Sequence, residues 1–167
     1  MLPHEGAGRP SNEEERVIDH ERFMTRAIEL ARAHTPELPF GAVLIDTETE
    51  QIVAEGFSRS PENPLWHGEM DALNRYFASE TRVAPERLQL YTTAEPCPMC
   101  AGALYWAAIP KVVFGTRVTT LRRLEWDRID IPAIEVARRA AYARLAVVGP
   151  VLEAECNRLF AEVRSRD

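Results

Sequence analysis

The chain contains no apolar run approaching the about 18 residues that a membrane-spanning helix requires, and no charged-then-apolar leader opens it. Neither a membrane partner nor secretion is therefore expected, and a cytoplasmic location is. Cysteine is scarce, with three residues in all. An odd count cannot pair completely within one chain, which sets aside a disulfide-stapled scaffold and leaves reduced thiols as the expectation. Positive charge is in deficit, 20 Lys plus Arg against 26 Asp plus Glu, for a formal net charge of −6. Such a balance gives no general attraction for a phosphate backbone, so a nucleic acid is not the favoured partner and would need a local basic patch. The one candidate, Arg117, Arg122, Arg123, Arg128, Arg138 and Arg139, reads as a solvated helix face paired with nearby acids. Internal repeats, low-complexity tracts and the marks of a second domain are also missing.

What is present is globular material: 46% hydrophobic and 28% charged residues in 167, enough to fold on one core without staples. Residues 1–12, with Pro3, Gly6, Gly8 and Pro10, read as a loose tail, and 13–167 as a single domain. Ser11 and Glu14 match a capping box that opens a helix to about His34, with Phe23, Ala27 and Leu30 or Ala31 on its inner face. Residues 40–45 read as a buried strand, and Gln51 to Phe57 as its hairpin partner. After a loop holding Pro61 and Pro64, helical spacing resumes behind His67 with Met70, Leu73 and Phe77. Leu88 to Thr93 is a third strand, and Met99 to Ala108 a helix with Pro98 at its first position. Lys111 to Gly115 is a fourth strand, and Thr116 to Pro132 is irregular. A helix over Ala133–Arg144, a strand over Leu145–Val148 and a helix over Val151–Arg164 complete the chain. Strands alternating with helices call for an α/β domain, helices covering both faces of one sheet.

Two short patterns carry chemistry, His67-Gly68-Glu69 and Pro96-Cys97-Pro98-Met99-Cys100. Cysteines three apart at a helix start lie on one face, and the helix N-terminus favours the thiolate. By itself this pattern fits a metal site, a redox dithiol or two packing cysteines. His67 tips the balance, because it also stands at a helix start, and two such starts meeting at one sheet end bring an imidazole to two thiolates. Cys156 reads as core, and His4, His20 and His34 lie in the tail or first helix, so no fourth protein ligand presents itself. Three-ligand zinc sites that keep a place for water are the catalytic ones. Zinc with two thiolates is formally neutral and acidifies water less than an all-histidine site, so a carboxylate that takes the proton compensates. Glu69 suits that role: two residues from His67 it diverges by about 200° around the helix, which makes it a neighbour of the metal rather than a ligand.

These residues resemble the cytidine deaminase-like superfamily, whose zinc nucleobase and nucleoside deaminases carry H-x-E followed by P-C-x-x-C. Pro39-Phe40-Gly41-Ala42, Glu95 to Ala103 and Val112-Val113-Phe114-Gly115 match the family's surrounding words, and Glu155-Cys156 is similar to the last helix of tRNA adenosine deaminases. The resemblance implies a three-layer α/β/α fold on a mixed sheet of about five strands, and assembly as a homodimer. It implies His67, Cys97 and Cys100 as zinc ligands, Glu69 as proton shuttle, and the backbone N–H groups of Ala42 and Cys97 at the substrate. The activity implied is hydrolytic removal of an amino group from a nucleobase, nucleoside or related ring, with release of ammonia. Phe40 and Tyr105-Trp106 are similar to bacterial guanine deaminases, and Trp126-Asp127 falls near their aromatic and acidic substrate pair. Trp66 is a further candidate to stack on a base. Ser58 stands where guanine and tRNA adenosine deaminases place a base-reading Asn, with Asn63 as a candidate substitute. The Gly68 form of the motif is similar to fungal cytosine deaminases. The reading is thus a small-ring aminohydrolase leaning to a guanine-like purine. A tRNA adenosine deaminase, a cytosine or cytidine deaminase, and a non-enzymatic zinc or redox module are its alternatives.

Overall fold

The computed structural model describes residues 17–80, 82–141 and 145–165. Helix α1 (His20–His34) is followed by the hairpin β1 (Gly41–Asp46) and β2 (Gln51–Phe57), then α2 (Gly68–Ala78). Next come β3 (Leu88–Ala94), α3 (Pro98–Trp106), β4 (Lys111–Thr116), α4 (Val118–Arg123), α5 (Ala133–Arg139), β5 (Ala146–Val148) and α6 (Glu153–Arg164). The strands form one mixed sheet in the order β2-β1-β3-β4-β5. β1 runs antiparallel to both β2 and β3, while β3, β4 and β5 are parallel.

β1, β3 and β4 are buried along nearly their whole length because helices cover both faces of the sheet, and β3 carries the polar Gln89, Thr92 and Thr93 within that burial. Val43, Ile45, Tyr91 and Val113 point to the layer of α1 and α6, where they meet Phe23, Ala27 and Phe160. Leu44, Leu90 and Val112 point the other way, toward Leu73 and Tyr76 of α2 and Leu104 of α3. The three-layer expectation holds, with five strands. No helix among the described residues is long and apolar enough to cross a membrane.

Four local expectations need correction. The first helix starts at His20, capped by Asp19, whose carboxylate accepts from the Arg22 N–H. Residues 17–19 are not helical, and Ser11, Glu14 and the 1–12 tail lie outside the described residues. In α2 the buried residues are Gly68, Glu69, Asp71, Ala72, Leu73 and Tyr76, while Phe77 is 45% exposed. The sequence pattern there is misleading because Phe77 outweighs Ala72 in hydrophobicity, yet it is Gly68 and Ala72 that α2 lays against β2, where a Cβ on Gly56 would lie 2.3 Å from the Ala72 nitrogen. The segment 116–132 contains α4, whose first turn begins where the Val118 N–H donates to Glu95. Finally, α5 ends at Arg139, short of the expected 144.

Cys156 belongs to the core, as its mid-helix position suggested: it is fully buried, and burial pushes its thiol up to about 12. It packs onto Gly115, where an added methyl group would lie 2.2 Å from the Cys156 sulfur and 2.8 Å from the Thr93 carbonyl oxygen. Gly115→Ala is expected to destabilise the protein by about 1–3 kcal/mol through overpacking. Adding Cys156→Ala should restore part of that loss in urea unfolding, and strict additivity of the two changes would contradict the packing account.

Candidate metal centre and adjoining cavity

The parallel strands deliver the site to one end of the sheet. β3 ends at Ala94 and α3 begins at Pro98, so Cys97 is the residue before the first helical turn. Proline at that first position has no N–H to leave unpaired and a backbone angle already suited to the helix. His67 holds the same position relative to α2. Gly68 lets α2 approach β1 closely, because a methyl group there would lie 2.7 Å from the Phe40 carbonyl oxygen. The antiparallel register sets the start of β1 beside the ends of β2 and β3, with Ala42 opposite both Gly56 and Thr92. The Ser58 N–H donates to the Phe40 carbonyl at 2.9 Å. One sheet end thus gathers Phe40, Ser58, His67 and Cys97.

The Cys97 and Cys100 sulfurs each stand 3.6 Å from His67 Nδ1. Tetrahedral zinc, with Zn–S near 2.3 Å and Zn–N near 2.0 Å, separates a sulfur and a nitrogen ligand by about 3.6 Å. The three donors therefore fit zinc, and among the described residues no fourth His, Cys, Asp or Glu joins their cluster. Without metal, a hydrogen bond from Cys100 and another from His67 hold the Cys97 thiol down at about 4, whereas sharing that proton and burial push Cys100 up. His67 is raised by its bond to Cys97. A thiol that is already a thiolate near neutral pH is prepared for a cation.

Glu69 is 5% exposed and accepts a hydrogen bond from Thr92 Oγ1 at 3.2 Å. Burial pushes its carboxyl up first, and the Cys97 thiolate adds to the effect. A carboxyl raised in this way holds and releases a proton more readily near neutrality. Sequence reasoning had no signal for the Thr92 contact, which depends on strand register.

A cavity of about 520 Å³ adjoins the centre, within the usual range for small-molecule sites. Phe40, Ser58, His67, Trp126 and Asp127 line it. Trp126 is nearly buried, its ring edge-on to Phe40 at 5.4 Å and its Nε1–H donating to the Phe160 carbonyl at 3.3 Å. Arg128 also lines the cavity, contrary to its placement on a solvated helix face. Arg122 pairs with Asp130, Arg117 with Glu153 and Arg139 with Glu135, as that surface reading expects.

Four candidates, Trp106, Trp66, Asn63 and Ala42, are not brought to the cavity wall. Trp106 is 82% exposed and lines a second cavity with Tyr105, Ile131 and Val136 that shares no residue with the first. Its helix turns it outward, because Cys100, Ala101 and Leu104 take the inner face of α3. Trp66 lies beneath the Arg59 guanidinium, 4.6 Å from its ring centroid. Asn63 uses its side-chain oxygen to accept from the Leu65 N–H at 3.0 Å, which closes the loop. Ala42 is fully buried inside β1.

A zinc-binding triad with a buried acid beside it, at the strand ends of an α/β sheet, defines a hydrolytic metalloenzyme. Residues 17–116 match the cytidine and deoxycytidylate deaminase zinc-binding region, and the chain belongs to that family of zinc-dependent aminohydrolases. It is similar to a protein of Schizosaccharomyces pombe described as "Probable cytosine deaminase", 32% identical over 122 residues, covering 70% of this chain and 74% of that one. A guanine deaminase of Bacillus subtilis is 37% identical over 102 residues, or 58% and 64% of the two chains. A tRNA-specific adenosine deaminase of the same organism is 30% identical over 163 residues, covering 90% and 94%. Among solved structures, a guanine deaminase from Nitrosomonas europaea shares the fold with a TM-score of 0.72 at 23% identity, covering 99% and 98% of the chains.

Purified protein is expected to carry one zinc per chain. Cys97→Ala and His67→Ala should each lose most of it, and Cys156→Ala should keep it, as read by metal analysis. Zinc uptake should release protons and fail on acidification, since the ligands bind in their deprotonated forms.

Proposed function

We infer that this aminohydrolase acts on a small aminated ring, with a guanine-like purine as the favoured substrate. The observation that carries this reading is one cavity wall shared by His67 of the metal centre, the Phe40 ring and the Asp127 carboxylate. An aromatic face suits a planar base, and a carboxylate suits its N–H groups. The guanine deaminase relatives support the same choice, whereas Ser58 in place of an Asn weakens the parallel with them.

Bound zinc would supply the acidification of water that makes it a nucleophile at neutral pH. Glu69 would hold the proton that water gives up as its oxygen bonds to the amine-bearing ring carbon, and would pass it to the nitrogen as the carbon–nitrogen bond breaks and ammonia leaves. Its burial keeps the carboxyl from competing solvent, and Thr92 holds one of its oxygens in place. The backbone N–H groups of Ala42 and Cys97 are assigned to the substrate. A homodimer is part of the reading, supported by the exposed Trp106, Ile129 and Ile131. A reducing cytoplasm suits three unpaired thiols.

The tRNA adenosine deaminase reading rests on the long match to the Bacillus subtilis relative. Net charge −6 and the pairing of Arg117, Arg122 and Arg139 with acids speak against a polynucleotide. Ammonia release should be measured on guanine, adenine, cytosine, their nucleosides and tRNA. Guanine is expected to be the best of these, and Glu69→Ala should cut its turnover by about 10²-fold or more while zinc stays bound. Turnover confined to tRNA, with strong dependence on salt, would overturn the small-ring assignment.

A further inference from the structure

Arg128 brings strong hydrogen-bonding capacity into the cavity, most of it unused by the protein. A guanidinium carries five N–H donors. Arg128 donates from Nη1 to the Asp127 carbonyl at 3.0 Å, and among the described residues it has no ion pair. Arg59, Arg87 and Arg122 contrast with it, each being matched to a carboxylate. Nor is Arg128 a free surface arm: it is partly buried, lies 4.3 Å over the Phe40 ring and lines the cavity beside His67. Its charge is felt at His67, Glu69, Cys97 and Cys100. The other guanidinium of this wall, Arg164, donates to the Glu125 carbonyl at 2.9 Å and lies over Trp126 rather than beside Phe40, and the remaining donors are engaged. The Ser58 and Ser60 hydroxyls bond to each other at 3.0 Å, and the Trp126 N–H is taken by Phe160.

We propose that Arg128 reads an oxygen acceptor on the edge of the substrate ring. The enzyme thereby selects aminated rings that also carry a ring carbonyl over rings that carry amino groups alone. This deepens the small-ring reading above and rests on the same cavity. The physical reason is directional. A carbonyl oxygen offers lone pairs to the guanidinium fork, whereas an amino group at the same place turns its own N–H toward another donor. Sites built to bond one polar group reject the analogue lacking it strongly, because the buried partner is left unmatched. The guanidinium also rests over the Phe40 ring at 4.3 Å, which limits the side-chain freedom it loses on binding.

The test compares kcat/KM on paired rings, guanine with 2,6-diaminopurine and cytosine with 4-aminopyrimidine, for the wild type and Arg128→Met. Within each pair the carbonyl is the principal difference. The wild type is expected to favour the carbonyl-bearing ring. Arg128→Met should shrink that preference by about 10- to 100-fold, mostly through KM, with zinc content unchanged, as loss of a charged hydrogen bond predicts. Equal losses on both members of a pair, no loss, or a wild type that prefers the amino-only ring would each overturn the proposal. Should Arg128→Met fail to fold, Arg128→Gln takes its place, and an unchanged preference in it counts against the proposal equally. Turnover of cytosine without any purine would defeat the guanine-like assignment, yet the pyrimidine pair would still decide the role of Arg128. Inactivity on all four rings with zinc bound would count against both.

Discussion

The grip of one imidazole and two thiolates on a single point in space is the constraint around which this chain is arranged. His67 and Cys97 hold the same relation to their helices, each immediately before the first turn, and Cys100 lies one turn further in. For these donors to converge, α2 and α3 must begin at the same sheet end and lie on the same face. The strand order and the burial of Leu44, Leu90 and Val112 beneath both helices secure this arrangement. The metal centre therefore depends on core packing more than on the loops that carry it. Bound zinc would tie together two helix starts that are otherwise joined by the contacts of His67 with Cys97 and Cys100 and by apolar packing.

The second consequence is electrostatic. A neutral assembly of cation and two thiolates leaves the proton traffic to a neighbour, and the buried Glu69 is held where such a neighbour is needed. Burial raises the carboxyl and so favours proton exchange near neutrality. Beyond the centre the cavity wall changes character. Phe40 and Trp126 form an aromatic corner, Asp127 offers acceptors, and Arg128 offers donors. A flat ring with both donor and acceptor edges matches that wall better than a flexible or fully apolar molecule does.

Much of the site was legible in the sequence because its geometry is local. Proline at the first position of α3, the spacing of Cys97 and Cys100, and the offset of Glu69 from His67 all operate within one helical turn. The strands were equally plain, since β1 and β4 carry short apolar runs and β3 is rich in strand-forming residues. What escaped depends on contacts between distant segments. Phe77 looked like a core residue, but α2 turns Gly68 and Ala72 toward Gly56 of β2 and leaves Phe77 exposed. Trp106 looked like a wall of the cavity but projects outward, because the inner face of α3 is already filled. Arg128 sat within a run of surface arginines, and only the packing of the 116–132 segment against Phe40 distinguishes it. Thr92 carries no motif, and its meeting with Glu69 follows from register alone.

X-ray absorption at the zinc edge of the purified protein addresses the coordination directly, independent of any substrate. The account predicts two sulfur scatterers at about 2.3 Å and two lighter nitrogen or oxygen scatterers at about 2.0 Å, one of them exchangeable solvent. A shell of three or four sulfurs, or of light atoms only, would contradict it.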